Sequence, residues 1–245
     1  MSPSELEFLD QNGYLHMPAL LDDDTLAEMR AAHDALRAEY EQPWNQLILL
    51  QKEVFIRFIR FAPILERQRA IFGDQLQLLQ YDVLYQGPHF SGKERAWHRD
   101  HYFPGDYPVS VNTLVYLDDI GEDGAPTYLV PGSHRGPTLP PTGDARHEPL
   151  QGEMALRPSA GDVVFINSAI CHSWGINGSD RERRTIYAYF GYWWLKRYEY
   201  DSPLPEQATA NADDELLILL GLKPAPSGQL HMYVPNGAFD SPRVP

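Results

Sequence analysis

Only one cysteine, Cys171, occurs in the 245 residues. No intramolecular disulfide can form, nor a zinc knuckle built on paired thiolates. No uninterrupted apolar stretch reaches the length that spans a bilayer. The residues from Met1 to Glu7 lack a basic segment followed by an apolar run, so no signal peptide is expected. Positive charge is scarce as well: 20 Lys and Arg stand against 34 Asp and Glu, a formal net charge of −14. Nucleic-acid backbones and anionic membranes attract basic surfaces, so neither is an expected partner. No internal repeat is visible. These absences read as a protein of a reducing cytoplasm.

What is present is enough apolar residue, 43%, to build one substantial core. We expect a single domain over 1–245, with a mainly helical part over 1–75, a β-core over 76–195 and a tail over 196–245 carrying one helix. Ser2, Pro3 and Glu5 are placed as an N-cap, a first-turn proline and a capping-box acid, opening a helix that stops before Gly13. After Asp22-Asp23-Asp24, the residues Leu26, Met29, His33, Leu36 and Tyr40 recur at helical spacing. A third helix is expected from Pro63 to Phe72, closed by Gly73. From Leu76 the texture changes to short apolar or alternating runs punctuated by Gly, Pro, Asn and Asp, which is the pattern of a β-sandwich or barrel. The long Gly/Pro-rich stretch from Gly136 to about Pro158 has the length of a lid. A last helix is expected from Asp213 to Leu220, before a Pro/Gly-rich end.

The chemistry concentrates in His98-Arg99-Asp100. Extended chain sends residues i and i+2 to one face, so His98 and Asp100 present an imidazole and a carboxylate to the same point. A third ligand from a distant strand would complete a two-His, one-carboxylate face that leaves the far side of a metal open. Around this triplet stand Gly87-Pro88, Trp97, Leu117-Asp118-Asp119, Gly124 and Val130-Pro131-Gly132-Ser133-His134. Further on come Ala160-Gly161-Asp162-Val163-Val164-Phe165, Cys171-His172, Asn177, Ser179 and the basic residues Arg181, Arg183 and Arg184.

In these ordered motifs, over roughly 78 to 190, the chain resembles the phytanoyl-CoA dioxygenase family of Fe(II)- and 2-oxoglutarate-dependent oxygenases. A looser match includes Phe8, Gly13, Tyr14 and Leu15. The resemblance implies a mainly β fold with flanking helices, a double-stranded β-helix (a jelly-roll, cupin-like barrel) with the N-terminal helices packed on one sheet. It implies His98, Asp100 and His172 as ligands of Fe(II), with 2-oxoglutarate as cosubstrate and O2 as oxidant. Arg183 would hold the distal carboxylate of 2-oxoglutarate, with Arg184 as its rival one residue along. Many members carry His-Gly-Ser after the distal histidine, where this chain has His172-Ser173-Trp174. A second contact to the carboxylate would then fall to Thr113 or Tyr81.

Other candidates have plainer readings. His101 faces away from the ligands, His134 steadies its turn, Cys171 is a small buried residue, and His147 is a solvated loop residue. The aromatic run from Tyr187 to Trp194 is a core strand with some rings in the pocket. Related iron halogenases lack the carboxylate that Asp100 supplies, which favours hydroxylation of an unactivated C–H bond with release of succinate and CO2. Desaturation, ring closure and epimerisation stay open. The expected substrate is a small molecule, neutral or cationic. The alternatives are a cupin-type metal enzyme that needs no 2-oxoglutarate, and a non-catalytic binding barrel.

Overall fold

The computed structural model describes residues 1–101, 108–137 and 139–223; the Pro/Gly-rich end beyond Lys223 lies outside them. Helix α1 (Pro3–Asn12) opens on a reciprocal capping box between Ser2 and Glu5 and closes on Gly13 at φ +79°. A Cβ at Gly13 would meet Nδ1 of His134 at 2.5 Å, so both the left-handed turn and the close approach require glycine. Strand β1 (Tyr14–Met17) follows at once. It is a strand inside the part expected to be mainly helical. Helix α2 (Asp23–Glu39) is capped by Asp22 and buries Leu26, Met29, His33 and Leu36 as one stripe. Helices α3 (Gln46–Leu49) and α4 (Glu53–Phe58) are too short for a periodic signal, and α5 (Ala62–Phe72) starts near Pro63 and ends at Gly73.

The β-core comprises β2 (Leu76–Gln86), β3 (Ser110–Tyr116), β4 (Thr127–Leu129), β5 (Met154–Leu156), β6 (Val163–Asn167), β7 (His172–Trp174) and β8 (Arg183–Tyr192). The larger sheet has the order β1-β6-β3-β8-β2 and the smaller one β5-β4-β7, with every pairing antiparallel. The two sheets face each other as a jelly roll. In the tail, α6 (Glu206–Thr209) precedes α7 (Asp214–Leu219), two short helices where one was expected.

Alternation decides what each face of the larger sheet meets. Val111, Val115, Phe165, Ile186 and Phe190 pack with the helices, including Met29, Leu36, Leu49 and Phe55. Leu114, Tyr116, Val164 and Ile166 point the other way, into the barrel against Leu129 and Leu156 of the smaller sheet. Burying each large apolar side chain contributes roughly 1.5–3 kcal/mol, so the helical layer holds this sheet firmly behind the barrel interior. Strand β2 carries one irregularity. Its register against β8 shifts between Leu78 and Gln80, and the bulge moves the helix-facing parity from Leu76 and Leu78 to Tyr81 and Val83. Gly191 faces that bulge; a Cβ there would stand 2.7 Å from Leu79 Cδ1 and 2.9 Å from the Val109 carbonyl oxygen.

Candidate metal centre

His98 sits on an extended segment joined to β7 by a single bridge, not on a regular strand. Its backbone exchanges both hydrogen bonds with His172, N to O at 3.0 Å in each direction. The Asp100 amide donates to the Ser168 carbonyl at 2.9 Å. Because the chain is extended, His98 and Asp100 still share a face, and the bridge delivers His172 to the same point.

Nε2 of His98 and Nε2 of His172 each stand 3.7 Å from Oδ1 of Asp100, and one ligand atom from each residue lies within 4.8 Å of the others. The tautomers follow from the other ring nitrogens. Nδ1 of His98 lies 2.8 Å from the Ala96 carbonyl and Nδ1 of His172 lies 3.0 Å from the Ile170 carbonyl. A carbonyl only accepts, so Nδ1 carries the proton and each Nε2 lone pair faces the carboxylate. Burial, together with the neighbouring His172, lowers the His98 pKa to about 4, and burial lowers that of His172. Both rings are therefore neutral and ready to ligate at neutral pH. Burial also pushes the Asp100 pKa up, and its Oδ2 is buried with no hydrogen-bond partner among the described residues. Two free imidazole lone pairs and a carboxylate with one oxygen unpartnered among the described residues fit a divalent cation.

Arg183 is fully buried at 1% exposure and comes from the first residue of β8. Among the described residues its Nη2 makes only long contacts, 3.5 Å to Thr127 Oγ1 and 3.4 Å to the Tyr187 hydroxyl, while Nε and Nη1 have no partner. A guanidinium in that state lacks the anion its burial demands. Arg184, on the other parity, forms a two-pronged pair with Asp118 and reaches Asp34 on α2. The two rival arginines thus lie on opposite faces of β8.

Two expectations fail. Thr113 lies on the helix side of β3, where its hydroxyl accepts from Gln68 Nε2 of α5 at 2.7 Å. Tyr81 also faces the helices, turned there by the β2 bulge, and its hydroxyl contacts the Phe55 carbonyl. The polar groups beside Arg183 are instead Thr127, Tyr187 and Tyr116, whose hydroxyl lies 2.9 Å from Thr127 Oγ1. Tyr187 was within reach of the sequence, since 183, 185, 187 and 189 share one face of a strand. Thr127 carries no such signal.

Nε2 of His134 donates to the Asp10 carbonyl, tying its turn to α1. Cys171 is buried, with its thiol pushed up to about 11 by burial. Ser173 accepts from the Ala96 amide. His147 departs from its expected place in solvent. Its Nδ1 bonds the Arg95 carbonyl, and the ring lines the catalytic cavity. The long loop around it is docked, with Trp97 Nε1 donating to the Glu148 carbonyl and Arg95 paired with Glu153. A cavity of about 640 Å³ opens beside His98 and His172, walled by Asn112, Leu114, Trp174, Tyr187 and Tyr189 among others. That volume suits a small molecule. No helix among the described residues is long and apolar enough to cross a membrane.

The family model for phytanoyl-CoA dioxygenase (PhyH) matches residues 9–185. Rat peroxisomal phytanoyl-CoA dioxygenase is 21% identical over 233 residues, covering 78% of this chain and 68% of that protein. L-proline trans-4-hydroxylase of Streptomyces griseoviridis is 23% identical over 218 residues, covering 72% and 81%. Among solved structures, the epimerase SnoN in complex with Fe3+, alpha-ketoglutarate and nogalamycin RO superposes with a TM-score of 0.67 at 23% identity, over 91% of this chain and 93% of that one. The jelly roll, the clustered histidines and carboxylate, and the family match agree: the chain belongs to the phytanoyl-CoA dioxygenase family and is an oxidoreductase of the iron- and 2-oxoglutarate-dependent kind.

Proposed function

We propose that His98, Asp100 and His172 hold Fe(II), that Arg183 holds the distal carboxylate of 2-oxoglutarate, and that the protein hydroxylates an unactivated C–H bond of a small metabolite. The observation that carries the reading is Arg183, a buried guanidinium with two nitrogens unpartnered among the described residues. A dicarboxylate cosubstrate is the anion of the right length class, since one end can chelate a metal while the other meets the fork of an arginine. Bound together, iron and 2-oxoglutarate supply O2 activation, with the cosubstrate leaving as succinate and CO2.

The chain's own residues do the rest. The Ala96 and Ile170 carbonyls hold the two imidazoles in one tautomer and one orientation. Thr127, Tyr116 and Tyr187 offer hydroxyls beside Arg183 for the same carboxylate. The apolar walls at Leu114 and Ile166 exclude water from the reacting carbon. A cupin-type enzyme without 2-oxoglutarate, or a non-catalytic barrel, has no use for an unpaired Arg183. One buried cysteine and a ferrous site suit a reducing compartment, the cytoplasm.

The test is an anaerobic titration of metal-free protein with Fe(II) and 2-oxoglutarate, followed by visible absorption. A weak metal-to-ligand charge-transfer band appears only when both are present. At pH 7.5 metal binding releases almost no protons, because the depressed histidines are already neutral. Metal binding without the band would favour the cupin-type reading, and no metal binding would favour the non-catalytic barrel.

Strand parity gives a second expected outcome. Thr127→Val raises the 2-oxoglutarate KM about tenfold, the loss of one hydrogen bond to a charged group. Thr113→Val leaves that KM unchanged, since its hydroxyl meets Gln68 instead. Steady-state kinetics with 2-oxoglutarate as the varied reactant separates the two, and equal effects would place the carboxylate elsewhere.

A further inference from the structure

The catalytic cavity continues into a recess of about 430 Å³; Leu84, Tyr187 and Tyr189 wall both. Three tyrosines, Tyr187, Tyr189 and Tyr198, line the recess, and so do two carboxylates, Asp82 and Glu199. Asp82 stands on β2 opposite Tyr187. It lies past the bulge, so its side chain points into the barrel. Its one hydrogen-bond partner among the described residues is the neutral amide of Gln80.

Glu199 takes a hydrogen bond from Asn45 at 2.7 Å through Oε1, while its Oε2 is buried with no partner among the described residues. The nearby cations are engaged elsewhere. Arg197 donates to the backbone carbonyls of Tyr198, Glu199 and Ser202, and Lys196 sits 4.0 Å over the Tyr200 ring. Burial and the Glu199 charge raise the Asp82 pKa to about 6, the mark of a carboxylate without a counterion.

An independent observation points to a hydrogen-bond donor in the adjoining cavity. Asn112, 2% exposed, lines the catalytic cavity across from Tyr189, and its Oδ1 has no partner among the described residues. Unpaired acceptors thus run from the metal side of the cavity into the recess. A metal ion would ask for oxygen on most sides. Aromatic faces with two carboxylates between them instead suit an alkylammonium, which gains from ring quadrupoles and from charge pairing together.

We propose that the substrate is a small organic amine, its ammonium seated between Asp82 and Glu199 beside Tyr187, Tyr189 and Tyr198. The remainder of the molecule extends past Tyr189 toward His98, Asp100 and His172, which presents a carbon of its chain to oxidation. This deepens the iron and 2-oxoglutarate reading and rests on it.

The experiment uses the anaerobic Fe(II)/2-oxoglutarate holoenzyme and three probes of one size: butylammonium, butanol and butyrate. Proton relaxation of each probe by the paramagnetic iron reports binding beside the metal. Butylammonium relaxes strongly, butanol at least tenfold less and butyrate not at all. Asp82→Asn and Glu199→Gln each cut the butylammonium effect at least tenfold, with the charge-transfer band unchanged. Asp82→Asn also melts at a higher temperature than wild type, because an unpaired buried charge is removed; a residue with only a structural role would melt lower.

Equal relaxation by all three probes, no relaxation by butylammonium, or indifference to both substitutions overturns the amine assignment while the band stands. Absence of the band in wild type overturns the iron and 2-oxoglutarate reading and the amine assignment with it.

Discussion

Asp100→Ala abolishes turnover and lowers Fe(II) affinity by more than a hundredfold, yet the variant melts no lower than wild type. The two parts have one cause. Asp100 is a carboxylate whose burial raises its pKa and whose Oδ2 finds no donor among the described residues. In the metal-free protein its charge is a cost to the fold, so removing it does not destabilise. In the loaded protein it neutralises one of the two metal charges and closes the facial set. Replacing a residue that merely orients a ligand typically costs 10–100-fold in metal affinity, and removing the ligand itself costs more. His98→Ala and His172→Ala lose activity to the same extent, but each also opens a gap between the two rings, which stand 4.2 Å apart at their centroids. Fe(II) titration and thermal melting on the same three variants check both halves. An Asp100→Ala protein that keeps its iron would remove the carboxylate from the ligand set.

Much of this site was legible because its parts are local or periodic. The capping box at Ser2 and Glu5, the stripe on α2 and the two-residue offset of His98 and Asp100 all depend on spacing along the chain, and each appears in the structure as the spacing implies. The preference for Arg183 over Arg184 came from the family pattern; neither strand alone could show that Arg184 is taken up by Asp118. What stayed hidden required knowledge of a partner strand.

The bulge at Leu79 is a mismatch between β2 and β8, invisible in either strand alone, and it turns Tyr81 from the barrel to the helices. Every residue of β3 is buried, so alternation along it gave no sign of which face meets the helices or where Thr113 would point. Strands of three residues, such as β5 and β7, are too short to show any alternation. Strand β1 owes its existence to β6, with which it pairs from Tyr14 to Met17. The recess at Asp82 and Glu199 joins residues far apart in sequence, and only the fold brings them together.

Arg183→Ala binds Fe(II) as wild type does but loses 2-oxoglutarate affinity by at least a hundredfold. The guanidinium is 1% exposed, so the cosubstrate carboxylate that meets it is stripped of water. Truncating one partner of such a buried pair costs about 3–5 kcal/mol, because the other charge is left without compensation; at 1.4 kcal/mol per decade that is more than a hundredfold. Arg183→Lys recovers part of the loss: it restores the charge but not the two parallel hydrogen bonds of the fork.

Arg184→Ala is the informative neighbour. It removes a pair with Asp118, costing stability by about 1–3 kcal/mol, and it leaves cosubstrate affinity alone because its side chain lies on the opposite face of β8. The charge-transfer band, titrated with 2-oxoglutarate in all four proteins, separates the outcomes. Affinity retained within threefold in Arg183→Ala would mean that the buried cation serves the barrel and not the cosubstrate, and the cupin-type reading would take its place.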